Sequence, residues 1–364
     1  MKPTANKPLP DKKLKILFIA RTYPPLVGGM ERFASDFYRY LGELTDVHLI
    51  ANRIGKKHVP WFFLRVCFYL IFNAKQFDLI HFNDAILTPL IPIIRLFSKA
   101  RVTVTVHGLD VIYDKLGYQK LVIPFLRKAD RIFPVSQYTK EQCLKRNITE
   151  DRLHVIPNGL DFSQITECVE ADKQNVLSRI KGDIAQKTVL LSLGRLIERK
   201  GHFWFIQNVF PHLPENVIYL IAGDGPEFDK INALVQDYAF EDRIFMLGYV
   251  SDGEKNCLFD LADLFIMPNI IDPHDQEGFG IVLLEAGSHN LPSIATKIEG
   301  IPDAVIDGVS GFLVEEKDAQ GFIDAILKPK IQRENIAAHL RAKYDWEIIS
   351  KTYHKAFISL GDQK

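Results

Sequence analysis

The sequence predicts an α/β protein made of two doubly wound domains. Short apolar segments alternate with longer helical segments along the whole chain, and they form two successive series. Short buried strands that alternate with helices are typical of parallel sheets covered on both faces. The length of 364 residues also exceeds what one hydrophobic core usually supports. We therefore expect one domain over residues 1–165 and a second over residues 166–345, joined near residues 162–173.

The strands are predicted where β-branched and other apolar residues form short runs. In the first series these runs are Leu14–Ala20, Val47–Ala51, Leu79–Phe82, Val102–Val106, Ile132–Val135 and Leu153–Ile156. In the second series they are Val189–Leu193, Val217–Ala222, Ile244–Leu247, Leu264–Met267, Ser293–Ala295 and Phe312–Val314. Helices are predicted between most strands, among others over Glu31–Leu44, Trp61–Lys75, Thr139–Arg146, Glu227–Tyr238 and Glu254–Ala262. A last helix, at about residues 346–364, could belong to either domain.

Composition and cysteine spacing bear on the compartment. A hydrophobic content of 47% with 25% charged residues is ordinary for a soluble globular protein. Residues 1–15 are polar and lack the apolar centre of a signal peptide. Cys67, Cys143, Cys168 and Cys257 are scattered, without a CxxC pair or a metal-ligand spacing. These observations predict a reducing, cytoplasmic compartment.

The charge is unevenly distributed, although the formal net charge is zero. Residues 1–165 contain 25 Lys/Arg and 14 Asp/Glu, a net charge of +11, and the remaining residues carry the opposite charge. Such a split is either an accident of composition or the mark of a half that meets an anionic partner. No Lys/Arg cluster with interleaved aromatic residues suggests nucleic acid. An anionic membrane surface is the better candidate.

The apolar segment Trp61–Phe72 is the first place to look for membrane contact. It spans about a dozen residues and contains Arg65, so it is too short to cross a bilayer. It is either a helix packed on the sheet or an interfacial helix that rests on lipid. Residues 90–97 leave the same two interpretations open.

Paired glycines follow the first predicted strand. Gly28 and Gly29 stand just before a helix, where backbone N–H groups can approach an anion or a sugar closely. A simple tight turn would explain them equally well. No GxGxxG follows this strand and the chain contains no P-loop, which argues against a dehydrogenase or an NTPase.

Two cations follow the first strand of the second series. Arg195 and Lys200 lie at the carboxyl end of Val189–Leu193, where doubly wound folds bind ligands. Fixed cations at that place could hold a diphosphate and stabilise it as a leaving group. Arg199, between them, is expected to be a solvated loop residue. The neighbouring strand ends in Gly223, within a glycine-rich turn before a helix.

His107 and two glutamates complete the set of candidate residues. His107 follows a strand and could donate to a substrate hydroxyl, although a structural histidine is equally compatible with its place. Glu277 precedes the turn Gly278-Phe279-Gly280, and Glu285 follows on an apolar helix. A carboxylate beside free backbone N–H groups can bind sugars and phosphates. Taken alone, the two glutamates could also be the acid and base of a glycoside hydrolase.

The number and order of these motifs resemble the retaining glycosyltransferases of family 4. That family has the GT-B fold, with two facing Rossmann-like domains and a C-terminal helix that crosses back to the first domain. The resemblance extends over about residues 14–355. It is carried by Gly28-Gly29 with Glu31, His107-Gly108, Val135-Ser136, Asn158-Gly159 with Asp161, Gly194-Arg195 with Lys200-Gly201, Gly223-Asp224-Gly225-Pro226, Gly248, Glu277 to Gly280 with Glu285, Gly300 to Asp303, Asp307-Gly308 and Gly311.

The resemblance implies a role for each candidate residue. Arg195 and Lys200 would bind the donor diphosphate, and Glu277 the hydroxyls of the transferred sugar. Glu285 would hold the ribose. The remaining donor-binding positions would be Gly28, Gly29, Gly223, Tyr249, Val250, Gly278, Phe279 and Gly280. His107 would line the active site and count, with Arg195, Lys200 and Glu277, among its catalytic groups.

The function implied is transfer of a hexose, with retention, from a UDP- or GDP-sugar to a glycan or lipid-linked acceptor. The hexose would be of the mannose, glucose or N-acetylglucosamine type, and the product a cell-surface polysaccharide or glycolipid. No metal and no cofactor are expected, and Asp272 to Asp275 is interpreted as a flexible loop. The enzyme would be cytoplasmic, at the inner face of the cell membrane if the basic half contacts lipid. The alternatives are a nucleotide-sugar epimerase or phosphorylase on the same fold, or a non-catalytic sugar-nucleotide-binding protein.

Overall fold

The computed structural model describes residues 13–114, 117–328 and 331–361. Most of the segment used to predict the absence of a signal peptide lies outside these ranges. The same is true of the last three residues of the predicted C-terminal helix.

The chain forms two parallel sheets, in agreement with the predicted α/β class. The strands are β1 Lys15–Ala20, β2 Asp46–Ala51, β3 Leu79–Phe82, β4 Arg101–Val106, β5 Arg131–Pro134, β6 Thr188–Leu193, β7 Val217–Ala222, β8 Ile244–Gly248, β9 Leu264–Met267, β10 Ser293–Thr296 and β11 Gly311–Val314. The first sheet has five strands in the order β2-β1-β3-β4-β5, and the second has six in the order β11-β10-β9-β6-β7-β8. Both orders are those of doubly wound folds.

Helices connect most of the strands. They are α1 Gly29–Leu44, α2 Val59–Asn73, α3 Ile91–Phe97, α4 Leu109–Ile112, α5 Tyr118–Leu121, α6 Ile123–Leu126, α7 Gln137–Leu144, α8 Glu170–Leu177, α9 His202–Asn208, α10 Phe228–Asp237, α11 Asp252–Leu261, α12 Ile281–Ser288, α13 Ala319–Leu327, α14 Ile336–Tyr344 and α15 Trp346–Gly361. The helices named in the sequence analysis are all present, with ends shifted by a few residues.

The two-residue period of the strands explains the core of the second sheet. In β6, Val189 and Leu191 contribute to one hydrophobic cluster, and Leu190 contributes to another. Because successive side chains of a strand point to opposite faces, each face of the sheet has its own core. Continuous apolar runs such as Val217–Ala222 are therefore buried on both sides, as the sequence predicts.

The chain divides into two compact units. Among the described residues, unit 1 comprises residues 13–105, 120–132 and 350–361, and unit 2 comprises residues 106–114, 117–119, 133–328 and 331–349. Most of α15 belongs to unit 1, where the Tyr353 hydroxyl lies 3.1 Å from Thr105 Oγ1. The predicted domain boundary at residue 165 stays a prediction.

One predicted strand is wrong. Residues 153–156 form no strand, although the backbone N–H of Ile156 donates to the carbonyl of Pro134 at 3.1 Å. Pro157 follows immediately, and a proline has no N–H with which to extend a ladder.

Two of the four cysteines are paired. Cys168 and Cys257 form a disulfide, with 4.5 Å between their Cα atoms, and Cys67 and Cys143 are free. The sequence does not predict this pair, because the two residues are 89 positions apart and share no motif. The disulfide ties the segment before α8 to α11.

Helix α2 has apolar residues on both its buried and its exposed sides. Phe62, Val66 and Leu70 are buried, as expected for a packed helix. On the opposite side, Trp61 is 72% exposed and Phe68 is 63% exposed. None of the helices within the described ranges is both long enough and apolar enough to cross a membrane.

Candidate active site

The strand order of the second sheet determines where a ligand can bind. β6 pairs with β7 on one side and with β9 on the other, so the direction of winding reverses between β6 and β9. In doubly wound sheets the carboxyl ends of the strands at such a reversal leave a crevice. Here the crevice is bordered by the segment after β6, residues 194–201, and by the segment after β9, residues 268–280. The candidate cations lie on the first segment and Glu277 lies on the second.

Glycines let these segments approach each other closely. Gly201 has a φ of +68°, and a Cβ there would lie 1.9 Å from the carbonyl oxygen of Pro268. Gly223, at φ +136°, would place a Cβ 1.9 Å from the carbonyl oxygen of Gly194. Glycine adopts this backbone conformation readily, and because it has no Cβ it avoids a collision with these carbonyl oxygens. The glycines therefore serve close backbone packing at the carboxyl edge of the sheet.

Two cations share one carboxylate oxygen at the crevice. Glu277 Oε2 accepts from Lys200 Nζ at 2.6 Å and from Arg199 Nη1 at 2.7 Å. The Arg199 side chain is only 13% exposed, and its Nε lies 2.9 Å from Asp275 Oδ2. The expectation that Arg199 is a solvated residue is therefore wrong. Because Arg199 and Lys200 are the last two residues of a short 3₁₀ turn, both can reach the same acceptor.

The segment before Glu277 makes several polar contacts. Asp272 and Asp275 form an isolated antiparallel bridge, and Asp272 Oδ1 accepts from the backbone N–H of His274 at 2.8 Å. The sequence predicts a flexible loop over these residues, and its flexibility stays a prediction. Asp275 also pairs with Arg199.

These contacts shift the titration of the cluster. Burial alone would raise the pKa of Glu277, but Lys200 and Arg199 outweigh burial and lower its pKa to about 2. Burial opposes the charge on Arg199 too, yet Glu277 and Asp275 raise its pKa overall. Glu277 and Arg199 are thus fully charged at neutral pH.

The backbone after Glu277 is held on two sides. A Cβ on Gly278 would lie 1.9 Å from the carbonyl oxygen of His107, and a Cβ on Gly300 would lie 2.0 Å from that of Gly278. The N–H of Gly300 donates to the carbonyl of Glu277 at 3.0 Å. His107 thus borders the site through its backbone, and its own N–H donates to Asp110 Oδ1 at 2.8 Å.

The turn leads directly into α12. Phe279 is buried, with its ring 6.0 Å from that of Tyr344, and Gly280 adopts φ +85° at the start of the helix. Glu285, on the second turn of α12, pairs with Lys255 of α11 at 3.0 Å. Its side chain is 14% exposed. Glu277 and Glu285 therefore each have a cationic partner, which a buried carboxylate requires.

The other predicted residues lie at several places. Arg195 is exposed and makes no ion pair with any residue that the structure describes. Tyr249 is 78% exposed after β8, and Val250 packs partly on the core of unit 2. Gly28 and Gly29 are exposed at the start of α1, in unit 1, so their predicted role in donor binding stays a prediction.

Sequence reasoning missed three residues of this site: Arg199, Lys255 and Glu299. Arg199 could have been identified from its position beside Lys200, on the turn that follows β6. Lys255 is one of many helix-surface lysines, and nothing local connects it to Glu285, 30 positions later. Glu299 accepts a hydrogen bond from the backbone of Glu277, 22 positions earlier, and no local sequence pattern predicts this contact.

Comparisons with known proteins identify the family. The model described as "Glycosyl transferases group 1" matches residues 174–341. The model described as "Glycosyltransferase Family 4" matches residues 27–164. The two matches follow one another along the chain and together cover most of it.

Two curated relatives extend over nearly the whole chain. The UDP-Gal:alpha-D-GlcNAc-diphosphoundecaprenol alpha-1,3-galactosyltransferase of Escherichia coli is 25% identical, over 84% of this chain and 85% of its own length. The GDP-mannose-dependent alpha-(1-6)-phosphatidylinositol monomannoside mannosyltransferase of Mycobacterium tuberculosis (strain CDC 1551 / Oshkosh) is 27% identical, over 91% and 93%.

Solved structures show the same fold. Anabaena HepE, in complex with UDP, superimposes with a TM-score of 0.75 at 19% identity, over 95% of this chain and 100% of that one. Sucrose-phosphate synthase from Thermosynechococcus elongatus gives a TM-score of 0.74 at 18% identity, over 96% and 100%. With the two parallel sheets, these likenesses establish the GT-B fold. The chain is a glycosyltransferase and belongs to the group 1, family 4 glycosyltransferases.

Proposed function

We propose that this enzyme transfers a hexosyl group from a UDP- or GDP-sugar to a glycan or lipid-linked acceptor, with retention of the anomeric configuration. The hexose is of the mannose, glucose or N-acetylglucosamine type. The observation that carries the proposal is the cluster of Arg199, Lys200 and Glu277 at the strand reversal of the second sheet. Two cations and a carboxylate there suit the diphosphate and the hexose of a nucleotide sugar.

The names of the relatives support this substrate class. One uses UDP-galactose on a diphosphoundecaprenol-linked sugar, and another uses GDP-mannose on a phosphatidylinositol mannoside. A structure of HepE contains UDP-glucose. We infer a nucleoside-diphosphate sugar as donor and a lipid-linked or glycan acceptor in cell-surface polysaccharide or glycolipid synthesis.

Each residue then has a defined task. Lys200 and Arg195, with Arg199, bind the diphosphate, and Glu277 accepts from the hydroxyls of the hexose. Glu285 binds the ribose, and the segment at Tyr249 lies beside the base. The remaining proposed contacts come from Val250, Gly223, Phe279, the glycines at positions 278 and 280, the pair Gly28 and Gly29, and His107 near the hexose.

The proposed chemistry needs charge stabilisation more than a base. The bond between the anomeric carbon and the diphosphate oxygen breaks, and the acceptor oxygen bonds to the carbon on the same face. The acceptor proton passes to an oxygen of the departing diphosphate. Cations that stabilise the negative charge on that diphosphate lower the barrier. Because Arg199 and Lys200 supply this charge, we propose that the reaction needs no metal and no cofactor.

Donor use is the first test. The enzyme is incubated with a panel of UDP- and GDP-sugars in the presence of a chelator, and donor hydrolysis and transfer are measured. Lys200→Ala and Glu277→Ala should each reduce the rate at least about tenfold, the loss expected when one charged contact to the transition state is removed. Lys187→Ala is the control, because this exposed lysine precedes β6 at the opposite end of the strand. Near-normal rates in both site variants would overturn the donor site.

The products separate the proposed function from its alternatives. Proton NMR of the transferred sugar reports whether the anomeric configuration is kept, and inversion would refute the retaining mechanism. An epimerase or phosphorylase would convert the donor without a sugar acceptor. A non-catalytic binding protein would bind the nucleotide sugar without turnover.

We further propose that unit 1 contacts an anionic membrane through α2 and α3, at the inner face of the cell membrane. The exposed apolar residues of these helices are Trp61, Leu64, Phe68, Phe72, Leu96 and Phe97. Residues 47–77 and 85–109 together contain eight lysines and arginines and no Asp or Glu. Exposed aromatic residues surrounded by cations are the pattern of helices that rest on anionic lipid.

Vesicle binding tests this contact. Vesicles of phosphatidylcholine with phosphatidylglycerol should sediment the enzyme, and binding should weaken with salt. Phe68→Ser combined with Phe72→Ser should reduce binding, whereas Leu327→Ser, which alters an exposed apolar residue of α13 in unit 2, should not. Equal binding to vesicles of phosphatidylcholine alone would refute the electrostatic part.

A further inference from the structure

Glu299 lies where it can control the geometry of Glu277. It follows β10, the strand next to β9 in the second sheet, and therefore stands at the same sheet edge as the charge cluster. Its Oε2 accepts the backbone N–H of Glu277 at 2.5 Å, and the neighbouring Gly300 donates its N–H to the Glu277 carbonyl at 3.0 Å. These two hydrogen bonds hold both sides of the Glu277 peptide backbone.

The backbone of Glu299 is itself unusual. Its φ of +51° lies in the left-handed region, which side chains other than glycine adopt at an energetic cost. A glycine would adopt this left-handed conformation without that cost. A glutamate at this position therefore carries an energetic cost in the backbone. The hydrogen bond that it accepts from the Glu277 N–H compensates for this cost.

Glu299 also belongs to the charge cluster. Burial raises the pKa of Glu299 to about 7, against the lowering effects of the Glu277 amide and Arg199, while Glu277 and Asp275 raise it further. Tyr138 of α7 also interacts electrostatically with Glu299, and it stays neutral because its pKa is raised to about 12. The second carboxyl oxygen, Oε1, is buried and has no hydrogen-bond partner among the described residues.

We propose that Glu299 is a positioning residue for the donor site, holding the Glu277 backbone and making donor affinity depend on its own protonation. The inference rests on the proposed donor site. With Glu299 ionised, three carboxylates face the two cations Arg199 and Lys200, and an incoming diphosphate is repelled. With Glu299 protonated, the charges of the cluster balance, and Oε2 can still accept from the Glu277 N–H. Donor binding is then coupled to uptake of one proton.

A nucleotide sugar is the appropriate probe, because its diphosphate is esterified at both ends and does not titrate near neutral pH. Binding of UDP-glucose, UDP-N-acetylglucosamine and GDP-mannose is measured by calorimetry from about pH 6 to about pH 8, where one coupled proton changes the Kd by at most about tenfold per pH unit. For the unmodified enzyme, the Kd of the best ligand should rise several-fold as the pH passes through 7. Glu299→Gln keeps an acceptor for the Glu277 amide and loses the charge, so its Kd should stay low and nearly constant.

Glu299→Gly separates positioning from stability. It relieves the left-handed backbone, so its melting temperature should equal or exceed that of the parent. It also loses the charge, as Glu299→Gln does, but it cannot accept from the Glu277 amide through a side chain, so its Kd for the same nucleotide sugar should exceed that of Glu299→Gln at every pH. The control is Lys317→Gly, at φ +57° outside the cluster, which relieves a similar conformation and should leave the Kd unchanged.

Distinct outcomes overturn the inference. An unchanged pH slope in Glu299→Gln would remove the protonation coupling, and a less stable Glu299→Gly with the same Kd as Glu299→Gln would make the residue merely structural. If the parent binds none of the three nucleotide sugars, the donor site fails and this inference fails with it. Lys200→Ala could lose nucleotide-sugar binding while the Kd of Glu299→Gln depends on pH as in the parent. In that case the donor site stands and only this inference is overturned.

Discussion

The two sheets place oppositely charged side chains at the same topological position, with different results. In the first sheet the winding reverses between β1 and β3, and just after these strands Arg21 Nε lies 2.8 Å from Asp84 Oδ2. In the second sheet it reverses between β6 and β9, where Lys200 meets Glu277 at 2.6 Å. Asp84 has a side-chain exposure of 0%, whereas Glu277 is 15% exposed and shared by two cations.

This difference shows that the strand reversal alone does not make a ligand site. A buried ion pair is costly to break, because the remaining charge has no solvent to replace its partner. Glu277, in contrast, has two cations on one oxygen and a second carboxylate nearby. These cations can therefore exchange their contact with Glu277 for a contact with a ligand. The Arg21–Asp84 pair belongs to the framework of unit 1, and the Lys200–Glu277 pair has the character of a binding site.

The largest expected effect comes from removing one arginine in each unit. Arg21→Met should lower the free energy of unfolding by about 3–5 kcal/mol, because it leaves the buried Asp84 carboxylate without this partner. Arg199→Met should cost less, about 1–3 kcal/mol, since Lys200 remains on Glu277. Urea unfolding followed by circular dichroism measures both. Equal losses in the free energy of unfolding of the two variants would refute the distinction between the ion pairs of Asp84 and of Glu277.

The second prediction concerns pH. The Glu277 pKa is lowered to about 2, so this group stabilises the fold above its unfolded pKa, and the stabilisation is lost as the pH falls through 2. A shift of this size corresponds to about 3 kcal/mol. Glu277→Gln should therefore be less stable than the parent near pH 6 and equally stable in strong acid. The free energy of unfolding as a function of pH is the measurement.

Glu299 provides the control of opposite sign. Its raised pKa means that stability is fully present below the unfolded pKa and is lost as the pH rises through about 7. Glu299→Gln should therefore gain stability over the parent only on the alkaline side. The same pH dependence of stability in both variants would mean that one of the two pKa shifts has been assigned the wrong sign.

The smallest effect separates two glycines. A Cβ on Gly278 would collide with the carbonyl of His107, so Gly278→Ala should cost about 1–3 kcal/mol through forced displacement. A Cβ on Gly29 would have no described atom within 4 Å, and this residue begins α1. Gly29→Ala should therefore be neutral or stabilise the fold by up to about 1 kcal/mol. Thermal unfolding compares the two variants, and a large loss in Gly29→Ala would reveal packing around that glycine.

The elements could be predicted from the sequence because their signals are local. Apolar runs such as Val217–Ala222 and Leu264–Met267 identify buried strands, and Gly194 and Gly223, directly after β6 and β7, indicate the carboxyl edge of the second sheet. Leu153–Ile156 has a similar apolar character, but it forms no strand, and Pro157 has no N–H with which to continue the contact that Ile156 makes with Pro134.

The missed contacts are non-local. The Cys168–Cys257 disulfide and the pair of Lys255 with Glu285 join residues that lie close together only after folding. The prediction for Arg199 is wrong because a charged residue on a loop is usually solvated, whereas here the turn carries it to Asp275 and Glu277. Pairings between positions that lack a common periodicity cannot be extracted from one sequence.

The sharing of one Glu277 oxygen by Arg199 and Lys200 has a kinetic consequence. In a complex of the proposed kind, the carboxylate is an internal competitor that the diphosphate must displace. In the proposed reaction, the carboxylate would pair with the two cations again as the nucleoside diphosphate departs, which would favour product release.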